Sequence, residues 1–145
     1  MIEITQNDCA EFEKQLGQNL HKFNVASCEY IKNHLQKDGL PRKKVINFRV
    51  ADGEHFVGGC TGYVAGGWYY LDMIWFDEKY RRQHIGTRLL KLIEEVATKE
   101  RCIGIYLWTF EWQAKDFYIK HGYSIFGEQK DFPPGYSRFY MQKLL

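Results

Sequence analysis

Paired metal ligands, membrane-length apolar runs and a surplus of either charge are all missing from this chain, and each absence narrows what it does. The four cysteines, Cys9, Cys28, Cys60 and Cys102, are widely spaced, with no C-x-x-C and no nearby pair of histidines. They encode no zinc site, no metal is expected, and they read as reduced thiols in a reducing cytosol. No apolar run approaches the roughly 20 residues needed to cross a bilayer. The start "MIEITQNDCAEFEKQL" has neither a basic leader nor an apolar signal segment. A soluble, cytoplasmic protein with no membrane partner is the expectation. Lys and Arg total 20 against 18 for Asp and Glu, a formal charge of +2, so no general polyanion-binding surface is implied. The basic runs "PRKKV" and "KYRRQH" are short, and no nucleic-acid motif accompanies Arg42, Lys43, Lys44, Arg81 and Arg82, which excludes nucleic acid as a partner. There is no repeat, linker or low-complexity stretch. The 145 residues are expected to form one domain, 1–145, large enough to bury a core without disulfides or metals.

What is abundant is aromatic surface, 17% of residues. Trp75, Trp108 and Trp112 lie in or beside apolar runs and are expected in the core, because large aromatics dominate burial. After the short apolar start "MIEI", Asn7 and Asp8 are plausible caps for a helix over roughly residues 8–20. A second helix over about 26–37 is stopped by "KDGLP". Strands follow. "KVINFRVA" and "HFVGGCTGYVA" read as hairpin arms around "DGE". "WYYLDMIWF" is apolar on both parities, as a central strand buried on two faces would be. From Ile85 the period changes. Ile85, Leu89, Leu92, Ile93 and Val96 mark one helical face, opposite Arg88, Lys91, Glu94, Glu95 and Lys99. "CIGIYLWTF" then makes a strand, helix, strand unit with parallel strands. Gln113, Ala114, Phe117, Tyr118 and His121 fall at helical spacing before Gly122, and "YSIFGE" and "SRFYMQKLL" close the sheet.

The junction "YRRQHIGTRLL" is the most informative stretch. A strand-to-helix turn in such a unit points unpaired N–H groups and the positive end of the helix dipole outward, a ready site for phosphate. Gln83, His84, Ile85, Gly86 and Thr87 supply the N–H groups, Gly86 allows close approach, and Arg81 and Arg82 add charge.

This stretch resembles the acetyl-CoA motif of the GNAT acetyltransferase superfamily: Arg or Gln, two variable residues, Gly, one variable residue, then Gly or Ala. Arg81-Arg82-Gln83-His84-Ile85-Gly86 fits in register except that His84 replaces the first glycine. The resemblance runs from about Val45 to the C-terminus and includes "LDMIWFDEKYRR" and "WQAKDFYIKHGYSIFG". The first helices and "SCEYIKNHLQKDGLPRKK" match only loosely, in a region that helps shape the acceptor site in similar enzymes. The implied fold is α/β (α+β): a mixed, mostly antiparallel twisted sheet with a central parallel pair and helices on both faces. A glycine at position 84 implies a left-handed backbone, which costs most side chains about 1 kcal/mol but which histidine visits more often than most. The imidazole either lies beside the pyrophosphate or points to solvent, and the second is the simpler expectation.

By the same resemblance, Ile74, Trp75 and Phe76 pair with the pantetheine arm and an N–H near Phe76 holds the thioester oxygen. Gln113 and Phe117 fall on the coenzyme side, and Tyr118 protonates the departing sulfur. Asp72, four residues before Phe76 and so expected on its side of the strand, and Glu111, at the mouth of the next strand, are both candidate bases. No Ser-His-Asp or Cys-His arrangement competes. An acidic aromatic pocket from Asp72, Glu111, Asp131, Trp68, Tyr69, Trp112 and Phe132 would suit a cationic amine. The expected activity is transfer of acetyl from the cosubstrate acetyl-CoA to a small-molecule amine or a protein amino group, directly in a ternary complex; a homodimer is allowed. The rival reading is a non-catalytic acyl-CoA-binding or sensing module.

Overall fold

The computed structural model describes residues 2, 4–6, 8–34 and 42–145. The Asn7 cap and the "KDGLP" stop at 37–41 lie outside the described residues. The chain divides into two compact units, Met1–Arg42 and Lys43–Leu145.

The first unit is helical. α1 spans Ala10–Ser27, with Glu11 and Glu13 in its first turn, where carboxylates favour the positive end of the dipole. It starts two residues later and ends seven residues later than the sequence pattern suggests. Its N-cap is Cys9, with no side-chain cap bond, while Asp8 accepts from the Gln6 amide at 2.9 Å. Cys28 breaks the helix in extended backbone, and α2 follows at Glu29–His34.

The second unit holds a seven-stranded sheet: β1 (Lys44–Val45), β2 (Phe48–Asp52), β3 (His55–Ala65), β4 (Trp68–Phe76), β5 (Gly104–Phe110), β6 (Ser124–Gln129) and β7 (Arg138–Leu144). The order is β1-β3-β4-β5-β7-β6, with β2 also on β3. The β4–β5 pair is parallel and the others antiparallel, as expected. The expected first hairpin arm is split at Ile46 and Asn47. There the Asn47 side chain takes the Gly62 N–H at 3.1 Å and the Tyr69 hydroxyl donates to the Ile46 carbonyl at 2.9 Å.

Between β4 and β5, α3 covers Ile85–Lys99; α4, Lys115–Lys120, follows β5. The buried stripe of α3 is Leu89, Leu90, Ile93 and Ala97, packed with Tyr69, Leu71, Ile105, Leu107 and Met141. Leu92, expected inward, is 42% exposed, and Leu90 takes its place, since the stripe follows the helix's own period rather than every apolar residue. β4 is central, yet only Tyr69 and Leu71 along it are buried. Trp75 and Trp112, expected in the core, are each 53% exposed.

Candidate active site

β4 and β5 pair at three positions only: Trp68 with Gly104, Tyr69 with Ile105 and Tyr70 with Tyr106. Both strands then run on, β4 to Phe76 and β5 to Phe110, without pairing. A V-shaped opening results. The Asp77 N–H donates to the Val57 carbonyl at 2.9 Å, so at this end the backbone of Trp75 turns to β3 as well. By strand alternation, the N–H and C=O groups of Ile74 and Phe76 face the other way, into the opening. The Phe76 carbonyl is taken by Arg81 Nε at 3.2 Å, leaving the Phe76 N–H in the gap.

The turn after β4 passes through a 3-10 turn, Glu78–Tyr80, started by Asp77, whose carboxylate accepts from the Lys79 N–H at 3.0 Å. Arg82 (φ 63°) and His84 (φ 57°) are both left-handed. For His84 this is the conformation that the missing glycine implied, and its side chain is exposed. The first bond of α3 runs from the Arg88 N–H to the His84 carbonyl at 3.0 Å, so the N–H groups of Ile85, Gly86 and Thr87 have no intrahelical partner. His84 makes no side-chain cap bond and the first turn carries no acid. The positive end of the helix is thus left to an external anion. Gly86 is also closely packed, because a β-carbon there would sit 3.1 Å from Phe117 Cζ and the ring would have to give way slightly.

These pieces border a cleft of ≈ 1220 Å³, which brings together the sequence-predicted site residues except Gln83 and Glu111. Ile74, Trp75 and Phe76 form one wall, with Arg81, Arg82, His84, Ile85, Gly86 and Thr87 at the turn and Gln113, Phe117 and Tyr118 opposite. Gln83 turns back to donate to the Lys79 carbonyl at 3.2 Å. Gln113 Oε1 accepts from the Phe110 N–H at 2.8 Å and from the Thr109 hydroxyl at 3.2 Å, which clips the end of β5 to the turn before α4. α4 is shorter than the spacing suggested, with Ala114 as its N-cap and Gln113 outside it. Tyr118 is 3% exposed, and burial, with Cys60 adding to it, raises its pKa above the ordinary 10.0. At neutral pH the cleft therefore holds a phenol with its proton in place.

The two candidate bases part company. Asp72 borders the cleft. It does not share the side of Phe76, because the ladder with β3 shifts between Thr61 and Gly62 and Asp72 is the extra residue on β4. Parity changes there. Tyr69, Leu71, Ile74 and Phe76 pack on the core, while Asp72 lies by the Tyr70 hydroxyl, whose pKa is raised by burial and then by that carboxylate. Glu111 is not part of the cleft wall; its carboxylate accepts the Ser137 N–H at 3.1 Å, tying the end of β5 to β7. Of the expected acidic aromatic pocket, Asp72 and Trp112 border the cleft. Tyr69 is buried in the core, and Asp131 accepts the Gly135 N–H at 3.2 Å within its own loop.

Two wall residues, Trp108 and His121, carried no functional reading in the sequence. Trp108 was taken for core and His121 only as helical spacing. The available signal was position: Trp108 sits on the strand that flanks the opening, and His121 lies one turn after Phe117.

A parallel pair opening over an uncapped helix N-terminus, with a buried phenol in the same cleft, defines an acyl-transfer fold of the GNAT type. The chain belongs to the acetyltransferase (GNAT) family, whose family model matches residues 11–123. It is 29% identical over 135 residues to an acetyltransferase of Agrobacterium fabrum, covering 92% of this chain and 91% of that one. It is 30% identical over 106 residues to blasticidin-S acetyltransferase of Streptomyces morookaense, covering 72% and 78%. The crystal structure of an acetyltransferase from Bacillus cereus superposes with a TM-score of 0.81 at 27% identity, covering 99% of this chain and 98% of that one. No helix among the described residues is long and apolar enough to cross a membrane.

Proposed function

We propose that this acetyltransferase moves an acetyl group from acetyl-CoA to a primary amine by direct transfer in a ternary complex, with residues 1–145 acting as one catalytic domain in the cytoplasm. The observation that carries the reading is the opening of β4 from β5 above the uncapped start of α3, with Tyr118 in the same cleft. The N–H groups of Ile85, Gly86 and Thr87, with Arg81 and Arg82, hold the pyrophosphate. The free backbone edge at Ile74 and Phe76 takes the pantetheine arm as an added strand would, and the Phe76 N–H polarises the thioester carbonyl.

Asp72 takes the proton lost by the attacking amine, directly or through water. Tyr118 gives its proton to the sulfur as the carbon–sulfur bond breaks, which avoids release of a free thiolate. Trp108 and Trp112 line the same cleft as Asp72, a set of groups suited to an amine that arrives as a cation.

Thiol release from acetyl-CoA over an amine panel, beside calorimetric titration with coenzyme A, tests the reading. Blasticidin S belongs in the panel because one relative is named for it. Amine-dependent thiol release supports transfer. Tight coenzyme binding with no release on any amine would favour a binding or sensing module instead.

A further inference from the structure

His121, the C-cap of α4, reaches the first turn of α3 with both ring nitrogens engaged. Nδ1 lies 2.7 Å from the Phe117 carbonyl oxygen and Nε2 lies 3.0 Å from Thr87 Oγ1. A carbonyl can only accept, so Nδ1 carries the proton. In the neutral ring Nε2 then has only a lone pair, and Thr87 must donate to it. A hydroxyl has one proton. While His121 is neutral that proton is spent, and Thr87, which lines the cleft beside the free N–H groups of its own turn, shows an incoming phosphate only lone pairs. If Nε2 gains a proton, the direction reverses: Nε2–H donates to Thr87 Oγ1, and the Thr87 hydroxyl is free to donate to a phosphate oxygen.

We propose that His121 and Thr87 form a proton relay for the coenzyme's pyrophosphate, in which binding draws one proton from solvent onto His121 Nε2 and turns Thr87 from a donor to the ring into a donor to the phosphate. His121 is a positioning residue, acting through Thr87. The inference rests on the coenzyme reading above and assigns its regulation by pH. The other titratable or charged groups on the cleft are Asp72 from β4, Tyr80, Arg81, Arg82 and His84 from the turn, and Tyr118 from α4. A bound pyrophosphate brings negative charge to the first turn of α3, which favours a proton on the imidazole beside it, the side chain whose charge changes most readily near neutral pH. The position of His121 is firm, since its ring packs on Phe117 at 4.4 Å and Phe117 packs on Gly86.

The test is calorimetric binding of 3′-dephospho-coenzyme A, which lacks the phosphomonoester that would itself titrate near pH 6. Titrations run at about pH 7.5 in HEPES and in Tris, buffers of different ionisation enthalpy. The wild-type protein should take up a sizeable fraction of a proton per ligand, up to about one, read as a less exothermic heat in Tris, and should bind more weakly as pH rises. His121→Gln and Thr87→Val should abolish the uptake and flatten the pH dependence of binding. Thr87→Ser, which keeps the hydroxyl, should retain both, and so should His84→Asn, which removes the other imidazole of the cleft. Binding with no uptake in the wild-type protein overturns the relay and leaves the coenzyme reading standing. Uptake that survives His121→Gln, or disappears in His84→Asn, overturns it too. No binding at all removes the coenzyme reading and the relay with it.

Discussion

Phe117 closes directly on Gly86: a β-carbon at position 86 would lie 3.1 Å from the ring's Cζ and 3.7 Å from Phe76 Cε2. The glycine of the turn therefore packs against α4, and in the proposed reading its N–H group also meets the pyrophosphate. Gly86→Val should push Phe117 aside and fill the cradle, raising the coenzyme A dissociation constant at least about tenfold, or about 1.4 kcal/mol. Normal binding by a folded Gly86→Val protein would mean that the pyrophosphate sits elsewhere.

His84 occupies a left-handed backbone with its side chain exposed. His84→Gly should change stability by no more than about 1 kcal/mol and leave coenzyme affinity nearly unaltered. A collapse of affinity in a protein with unchanged unfolding would identify the imidazole as a ligand.

Asp72 and Glu111 are distinguished by position. Asp72→Asn should lower kcat by roughly 10²-fold or more, within the range of positioned proton transfer, with coenzyme binding intact. Glu111→Gln should keep kcat within a few-fold, because its carboxylate faces Ser137 rather than the cleft. The opposite ranking in steady-state kinetics would exchange the two roles.

These two carboxylates also mark where the sequence was readable and where it was not. The strand, turn, helix and strand around the cleft were legible because their signals are local: apolar parity, a change of period at Ile85, and a glycine position filled by a residue that tolerates positive φ. Asp72 was misplaced because a bulge shifts every later residue to the other face, and nothing in "WYYLDMIWF" announces an unpaired residue. The bond that Glu111 accepts was not legible, because its partner, Ser137, lies 26 residues away, just before β7. The bond between His121 and Thr87 spans 34 residues and was unreadable for the same reason.

Alkaline titration should expose the buried acids. Burial pushes Cys60 from 9.0 up to about 11, and raises Tyr69, Tyr118 and Tyr123 above 10.0. Below about pH 9 these groups are neutral in both the folded and unfolded chain, so their full contribution is present. As pH rises from about 9, the unfolded chain ionises first and stability falls; the Cys60 part is lost by about pH 11. Urea unfolding midpoints should decline across that window, and a flat profile would contradict the burial of these four side chains.

The most direct test is Tyr118→Phe assayed with acetyl-CoA and with an acyl donor whose thiol has a low pKa. The ring and its contacts with Phe117 and Tyr123 are kept, so coenzyme A binding should stay within a few-fold. With acetyl-CoA, kcat should fall by roughly 10²-fold, and with the low-pKa donor by much less, because that leaving group needs little protonation. Since burial raises the Tyr118 pKa, the wild-type enzyme should also show no alkaline loss of kcat from this group below about pH 10. An undiminished kcat on acetyl-CoA, with chemistry shown to limit turnover, would contradict proton delivery by Tyr118.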